Sequence, residues 1–243
     1  MPEKQLTETA NLKCNTARAK VAAFIAGDST ACNYEPSRAP RAGWGQMIGR
    51  FFDPDYVSIQ NLAVSGRSSM SFINEGVLAK ILAEIKPGDY LLIQFGHNDA
   101  KIEDPARYTD PETYQSYLAQ YVTGARKAGA NPVLITPVNR RNFEKGRLVL
   151  THGAYPGAMT ALAKGQNVPL IDLTEGSRVL FEGLGEENTK KLFLWLKPGA
   201  SVNYPEGVQD DTHFSEQGAT EIAKLIVREI KELNLPLAKH ISL

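Results

Sequence analysis

VAAFIAGDSTACN, residues 21–33, is the stretch on which the reading of this chain turns. Six apolar residues, Val21 to Ala26, break off at Gly27-Asp28-Ser29-Thr30. A short apolar run closed by a glycine predicts a buried strand of a parallel sheet. In open α/β sheets, ligands bind just beyond the carboxyl ends of the strands. Ser29, on the sharp turn that follows, is therefore predicted to stand where chemistry takes place.

The same pattern recurs down the chain. YVSIQNLAV (56–64), DYLLIQFG (89–96), NPVLITPV (131–138) and VPLIDL (168–173) predict four more strands. Helices are predicted between them over 46–52, 71–85, 111–128 and 155–165. Over 111–128, Tyr114, Tyr117, Leu118, Tyr121, Val122 and Ala125 follow helical spacing, with Asp110 as N-cap, Pro111 at the first position and Gly129 at the end. Residues 174–196 predict a helix broken at Gly183 and Gly185, and 197–213 a polar loop. A last helix capped by Ser215 carries Ile222, Ile226, Ile230 and Leu233. Strands that alternate with helices predict a three-layer α/β/α fold around a five-stranded, parallel, flavodoxin-like sheet. Its 243 residues fit a single domain, 1–243, with 1–19 as a polar leader.

Lys+Arg and Asp+Glu both number 27, which argues against a general nucleic-acid or anionic-membrane surface. No apolar run approaches a membrane span. Residues 1–20 lack an apolar signal core, which predicts a cytoplasmic protein, or a secreted one whose signal was removed. The oligomeric state stays open, with a monomer favoured. Cys14 and Cys32 have no metal-ligand spacing; they are expected as two free thiols, though one bridge in an oxidising compartment also fits.

Several nucleotide and hydrolase signatures are missing. No GK[ST] follows a glycine loop, GWGQMIG (43–49) has the wrong spacing for a dinucleotide fingerprint, and GDSTA has Ala31 where a nucleophile elbow needs glycine. Four loop sites remain: Ser29 after the first strand, Gly66 after the second, Asn98 after the third, and Asp210 with His213 before the last helix. These are the parts of a serine hydrolase. Serine needs a base, usually histidine, and the histidine needs a carboxylate to fix its tautomer. A tetrahedral intermediate needs donors aimed at its oxyanion, which a glycine N–H and an asparagine amide supply.

GDST, Gly66 in NLAVSGRS, GHND and the Asp210–His213 DxxH, in this order over residues 27–213, resemble the conserved blocks of the SGNH (GDSL-type) esterase superfamily. GDSTA, GHND and DDTHF are similar to its rhamnogalacturonan acetylesterase branch. The resemblance implies Ser29 as nucleophile, His213 as general base and Asp210 as its orienting partner. It places the Ser29 and Gly66 N–H groups and the Asn98 side chain in the oxyanion hole, with no metal or organic cofactor. Thr30 departs from the GDSL name in the manner of the acetylesterase branch.

Other residues have plainer readings. Asp28 is expected to hold loop N–H groups, Asp211 to be solvated, and His97 to pack beside Asn98 rather than bind a metal. His152 either lines the cleft or faces solvent. The pectic substrates of that branch carry galacturonate carboxylates, which arginine forks suit. Some of Arg67, Arg140 and Arg141 are therefore expected to hold an acidic chain, the plainer reading of the 140–147 loop being a solvated basic one. The function expected is removal of O-acetyl groups from pectic rhamnogalacturonan oligosaccharides. The rivals are esterases of xylan, other acetylated sugars or short lipids, and, from a different class, a silent carbohydrate-binding module.

Overall fold

A computed structural model describes residues 20–242. The leader, 1–19, and with it Cys14, lie outside the described residues. Five strands, β1 (Val21–Gly27), β2 (Val57–Asn61), β3 (Tyr90–Gln94), β4 (Asn131–Ile135) and β5 (Leu170–Ile171), form one sheet in the order β2-β1-β3-β4-β5. Every pairing in it is parallel. This is the flavodoxin-like order, whose reversal point beside β1 opens a crevice at the strand ends.

Strand side chains alternate between faces, and the sheet separates two cores accordingly. Ala23, Ile25 and Leu92 pack with Ile222, Ile226 and Ile230 of the last helix and with Trp44. Phe24, Ala26, Leu91 and Ile93 pack with Phe72, Tyr114, Leu118 and Tyr121 on the other side. The helices are α1 (Ser69–Asn74), α2 (Val77–Glu84), α3 (Pro111–Lys127), α4 (Tyr155–Gln166), α5 (Leu173–Thr189) and α6 (Glu216–Glu232), besides a single turn at Trp44–Met47. Asp110 and Ser215 cap α3 and α6 through their side chains.

Three expectations are corrected. The helix over 71–85 is two helices, because Gly76 adopts a left-handed φ of 76° between them. The run 174–196 is broken at Gly185 (φ 75°), as expected, and ends in a 3-10 turn over Lys190–Leu192, but its last residues form a strand, β6 (Phe193–Leu196). The loop 197–213 ends in another strand, β7 (Val208–Ser215), which pairs antiparallel with β6 and with Arg41–Ala42 in a second, three-stranded sheet. Among the described residues, no helix is long and apolar enough to cross a membrane.

Candidate active site

Ser29 sits two residues past the end of β1, on a turn whose geometry its neighbours impose. Asp28 Oδ1 accepts from the Thr30 N–H (2.9 Å) and the Thr30 hydroxyl (2.8 Å). The Tyr34 hydroxyl donates to the Ser29 carbonyl at 2.7 Å. The segment GWG (43–45) closes over the turn, with Trp44 N–H donating to Thr30 O and Gly45 N–H to Ala31 O. A Cβ on Gly43 would lie 2.3 Å from Cys32 O, so only glycine permits this approach. GWGQ is thus a packing motif of the serine turn.

Asp210 and His213 stand on a bulge. In the β6–β7 pairing Asp210 faces Leu194 and Phe214 faces Phe193, so three residues of β7 are extruded against none of its partner. Bulges re-aim side chains at sheet rims. Here Asp210 Oδ1 accepts from the Thr212 and His213 N–H groups (2.8 and 2.9 Å), which curls the bulge and explains the spacing of DxxH. Asp210 Oδ2 then lies 2.6 Å from His213 Nδ1, and His213 Nε2 lies 3.1 Å from Ser29 Oγ. A carboxylate only accepts, so Nδ1 carries the proton and Nε2 is left to accept from the serine hydroxyl. Burial pushes the Asp210 carboxyl up, but the hydrogen bond and charge of His213 and the two N–H groups outweigh it and hold it at about 2.

Asn98 reaches the loop that carries Gly66. Asn98 Nδ2 donates one hydrogen to Arg67 O at 3.0 Å, which leaves the other free, and Gly66 has φ 79°. Neither the Ser29 nor the Gly66 N–H donates to any described residue. Asp99 staples the two loops together: it accepts from Ser69 N–H (2.9 Å), Ser69 Oγ (2.5 Å) and Gly96 N–H (3.0 Å). Asp99 was not singled out by the sequence, although it directly follows Asn98. The structure thus brings Ser29, His213 and Asp210 together in one chain of hydrogen bonds, with donors at Ser29, Gly66 and Asn98 left available.

Under the serine turn, His97 Nδ1 donates to Asp28 Oδ2 at 3.0 Å, and its ring meets His152 edge-on at 4.4 Å between centroids. His152 is buried, which removes the solvent-facing reading, and burial lowers its pKa well below the ordinary range. Asp211 is not merely solvated either: it accepts from Arg141 Nη1 (2.9 Å) and Trp195 Nε1 (2.8 Å).

The three expected arginines are engaged elsewhere. Arg67 Nε contacts both oxygens of Glu75 and its Nη1 donates to Ser65 O. Arg140 donates to Thr151 Oγ1 and His97 O. Arg141, only 6 % exposed, braces the bulge through Asp211 and the Glu186 carbonyl. The arginine that does reach Gly66 is Arg107, which no motif singled out. Among the described residues, no group of three or more His, Cys, Asp or Glu is arranged to hold a metal ion.

The GDSL-like Lipase/Acylhydrolase family model matches residues 25–220. Rhamnogalacturonan acetylesterase RhgT of Bacillus subtilis is 49 % identical over 90 % of this chain and 93 % of its own length. The probable rhamnogalacturonan acetylesterase YesY of the same organism is 44 % identical over 90 % and 96 %. The crystal structure of protein YxiM from Bacillus subtilis superposes with a TM-score of 0.78 at 29 % identity, covering 90 % of this chain and 58 % of that one. Axe2, an acetylxylan esterase from Geobacillus stearothermophilus, shares the fold at TM-score 0.59 and 17 % identity over 86 % of this chain and 94 % of its own. The chain belongs to the GDSL-like lipase/acylhydrolase family, in the branch similar to rhamnogalacturonan acetylesterases.

Proposed function

We propose that this protein is a serine carbohydrate esterase that removes O-acetyl groups from rhamnogalacturonan oligosaccharides. The observation that carries the chemistry is the unbroken chain from Ser29 Oγ through His213 to Asp210, at 3.1 and 2.6 Å, beside donors that no described residue occupies. Relatives named as rhamnogalacturonan acetylesterases, at 49 and 44 % identity over nine-tenths of the chain, support the substrate.

In this reading Ser29 Oγ attacks the acetyl carbonyl carbon while His213 Nε2 takes the hydroxyl proton. Asp210 keeps Nδ1 protonated and stabilises the imidazolium as it forms. The carbonyl oxygen becomes an oxyanion that the Ser29 N–H, the Gly66 N–H and the second Asn98 amide hydrogen receive. The intermediate collapses: the C–O bond to the sugar breaks, and the imidazolium returns its proton to the departing sugar hydroxyl. Water, deprotonated by the same histidine, then cleaves the acetyl-Ser29 ester and releases acetate. The acetylxylan esterase likeness, at 17 % identity, speaks for the fold alone. Acetate release from acetylated rhamnogalacturonan oligosaccharides, with acetylated xylan alongside, tests the assignment. Equal release from both would reduce it to a general sugar acetylesterase.

A further inference from the structure

Arg107 lies on the loop between β3 and α3, and its guanidinium covers Gly66. A Cβ built on Gly66 would meet Nη1 at 3.7 Å, Cζ at 3.8 Å and Nη2 at 3.9 Å. Three nearly equal distances mean that the planar group lies face-on to that point. Bond geometry then puts the fork within roughly 6 Å of the Gly66 nitrogen, the proposed oxyanion donor. Only one edge of the group is engaged, with Nε 3.2 Å from Asp104 Oδ2. Neither Nη1 nor Nη2 donates to any described residue, and the side chain is 38 % exposed.

By contrast, Arg140 gives both Nη groups to Thr151 and His97 O, Arg141 gives its own to Asp211 and the Glu186 carbonyl, and Arg67 gives Nη1 to Ser65 O. An arginine held by its Nε edge presents two parallel N–H donors in the geometry that a carboxylate accepts. A uronic-acid residue carries its carboxylate and its esterified hydroxyl on one six-membered ring, so the two groups lie a few ångströms apart. A fork beside the oxyanion site is placed to hold the first while Ser29 attacks the second.

We propose that Arg107 is the specificity-determining residue of this site and binds the carboxylate of an acetylated uronic-acid residue through Nη1 and Nη2. The proposal rests on the acetylesterase reading above for the place of the reacting ester. Its test is a binding measurement, so it needs no turnover. Calorimetric titration with unacetylated rhamnogalacturonan oligosaccharide is run on the wild type, Arg107→Gln and Arg107→Lys, and repeated with the same oligosaccharide after reduction of its carboxyl groups to alcohols.

The expected result is a dissociation constant for the acidic oligosaccharide about 10- to 100-fold higher in Arg107→Gln, an intermediate value in Arg107→Lys, and no change among the three for the reduced one. Equal affinity of wild type and Arg107→Gln for the acidic oligosaccharide would overturn the proposal, as would equal losses on both ligands. Absent acetate release with Arg107-dependent binding intact would instead overturn the esterase reading and keep the carboxylate site.

Discussion

Asp28 and His97, the residues just before Ser29 and Asn98, are joined by a hydrogen bond of 3.0 Å between Oδ2 and Nδ1, both side chains being buried. The pair ties the turn that carries Ser29 to the loop that carries Asn98, the proposed oxyanion donor. It adds a side-chain tie beyond the strand pairing of Gly27 with Gln94, which brings the two segments side by side. Burial pushes the Asp28 carboxyl up, and the charge and hydrogen bonds of His97 and Thr30 outweigh it and hold it below the usual range.

Asp28→Ala removes the acceptor for the Thr30 N–H, the Thr30 hydroxyl and the His97 ring at once. Leaving such donors buried and unpaired is expected to cost about 3 kcal/mol of stability, read by urea denaturation. A variant as stable as the wild type would show that the contact does not brace the site.

Asp210 makes a pH prediction. Its folded pKa of about 2 lies below the ordinary 3.8, so the folded state releases this proton more readily than the unfolded one. The stability it contributes is complete above about pH 4 and is lost as pH falls toward 2. Denaturation of wild type and Asp210→Asn across that range should show a stability gap that closes with acid; a gap that stays constant to pH 2 would contradict the depressed value. At neutral pH the same variant is expected to lose about 10³- to 10⁴-fold in kcat, because nothing then stabilises the imidazolium.

Asn98→Ala is expected to lower kcat by about 10²- to 10³-fold with KM nearly unchanged, since the amide acts on charge that appears only in the transition state. Steady-state kinetics on a small acetyl ester reads both constants. A rise in KM with kcat preserved would make Asn98 a ground-state binder.

Gly43→Ala would set a methyl group 2.3 Å from Cys32 O and push apart the GWG segment and the serine turn. A loss of about 1–3 kcal/mol is expected from overpacking, together with a fall in kcat as Ser29 moves relative to His213. Thermal unfolding and kinetics on the same preparation check the two together.

How much of this was legible in the residues depends on where each element's stability comes from. β1 and β3 are buried on both faces, so their apolar runs announced them, and the turn residues after them located Ser29 and Asn98. β7 was hidden because its residues are polar: Asp210, Asp211, Thr212 and His213 serve the site and its bracing rather than a core. DxxH was readable as a motif, whereas the bulge that aims it depends on pairing with β6. The arginines show the sharper limit. Arg67 and Arg141 follow the strands and look like ligand forks, but Glu75, eight residues on, and Asp211, seventy residues on, pair with them. Arg107 reaches Gly66 only through tertiary structure, 41 positions from it in the sequence.

The most direct measurement is acetate released from acetylated rhamnogalacturonan oligosaccharides by the wild type and by Ser29→Ala. Removing one buried hydroxyl leaves the serine turn's Asp28, Thr30 and Tyr34 contacts in place, so the variant should fold as the wild type does. Release by the wild type and a loss of at least about 10⁴-fold in Ser29→Ala is the predicted result. Undiminished release by a folded Ser29→Ala protein would contradict the account at its centre.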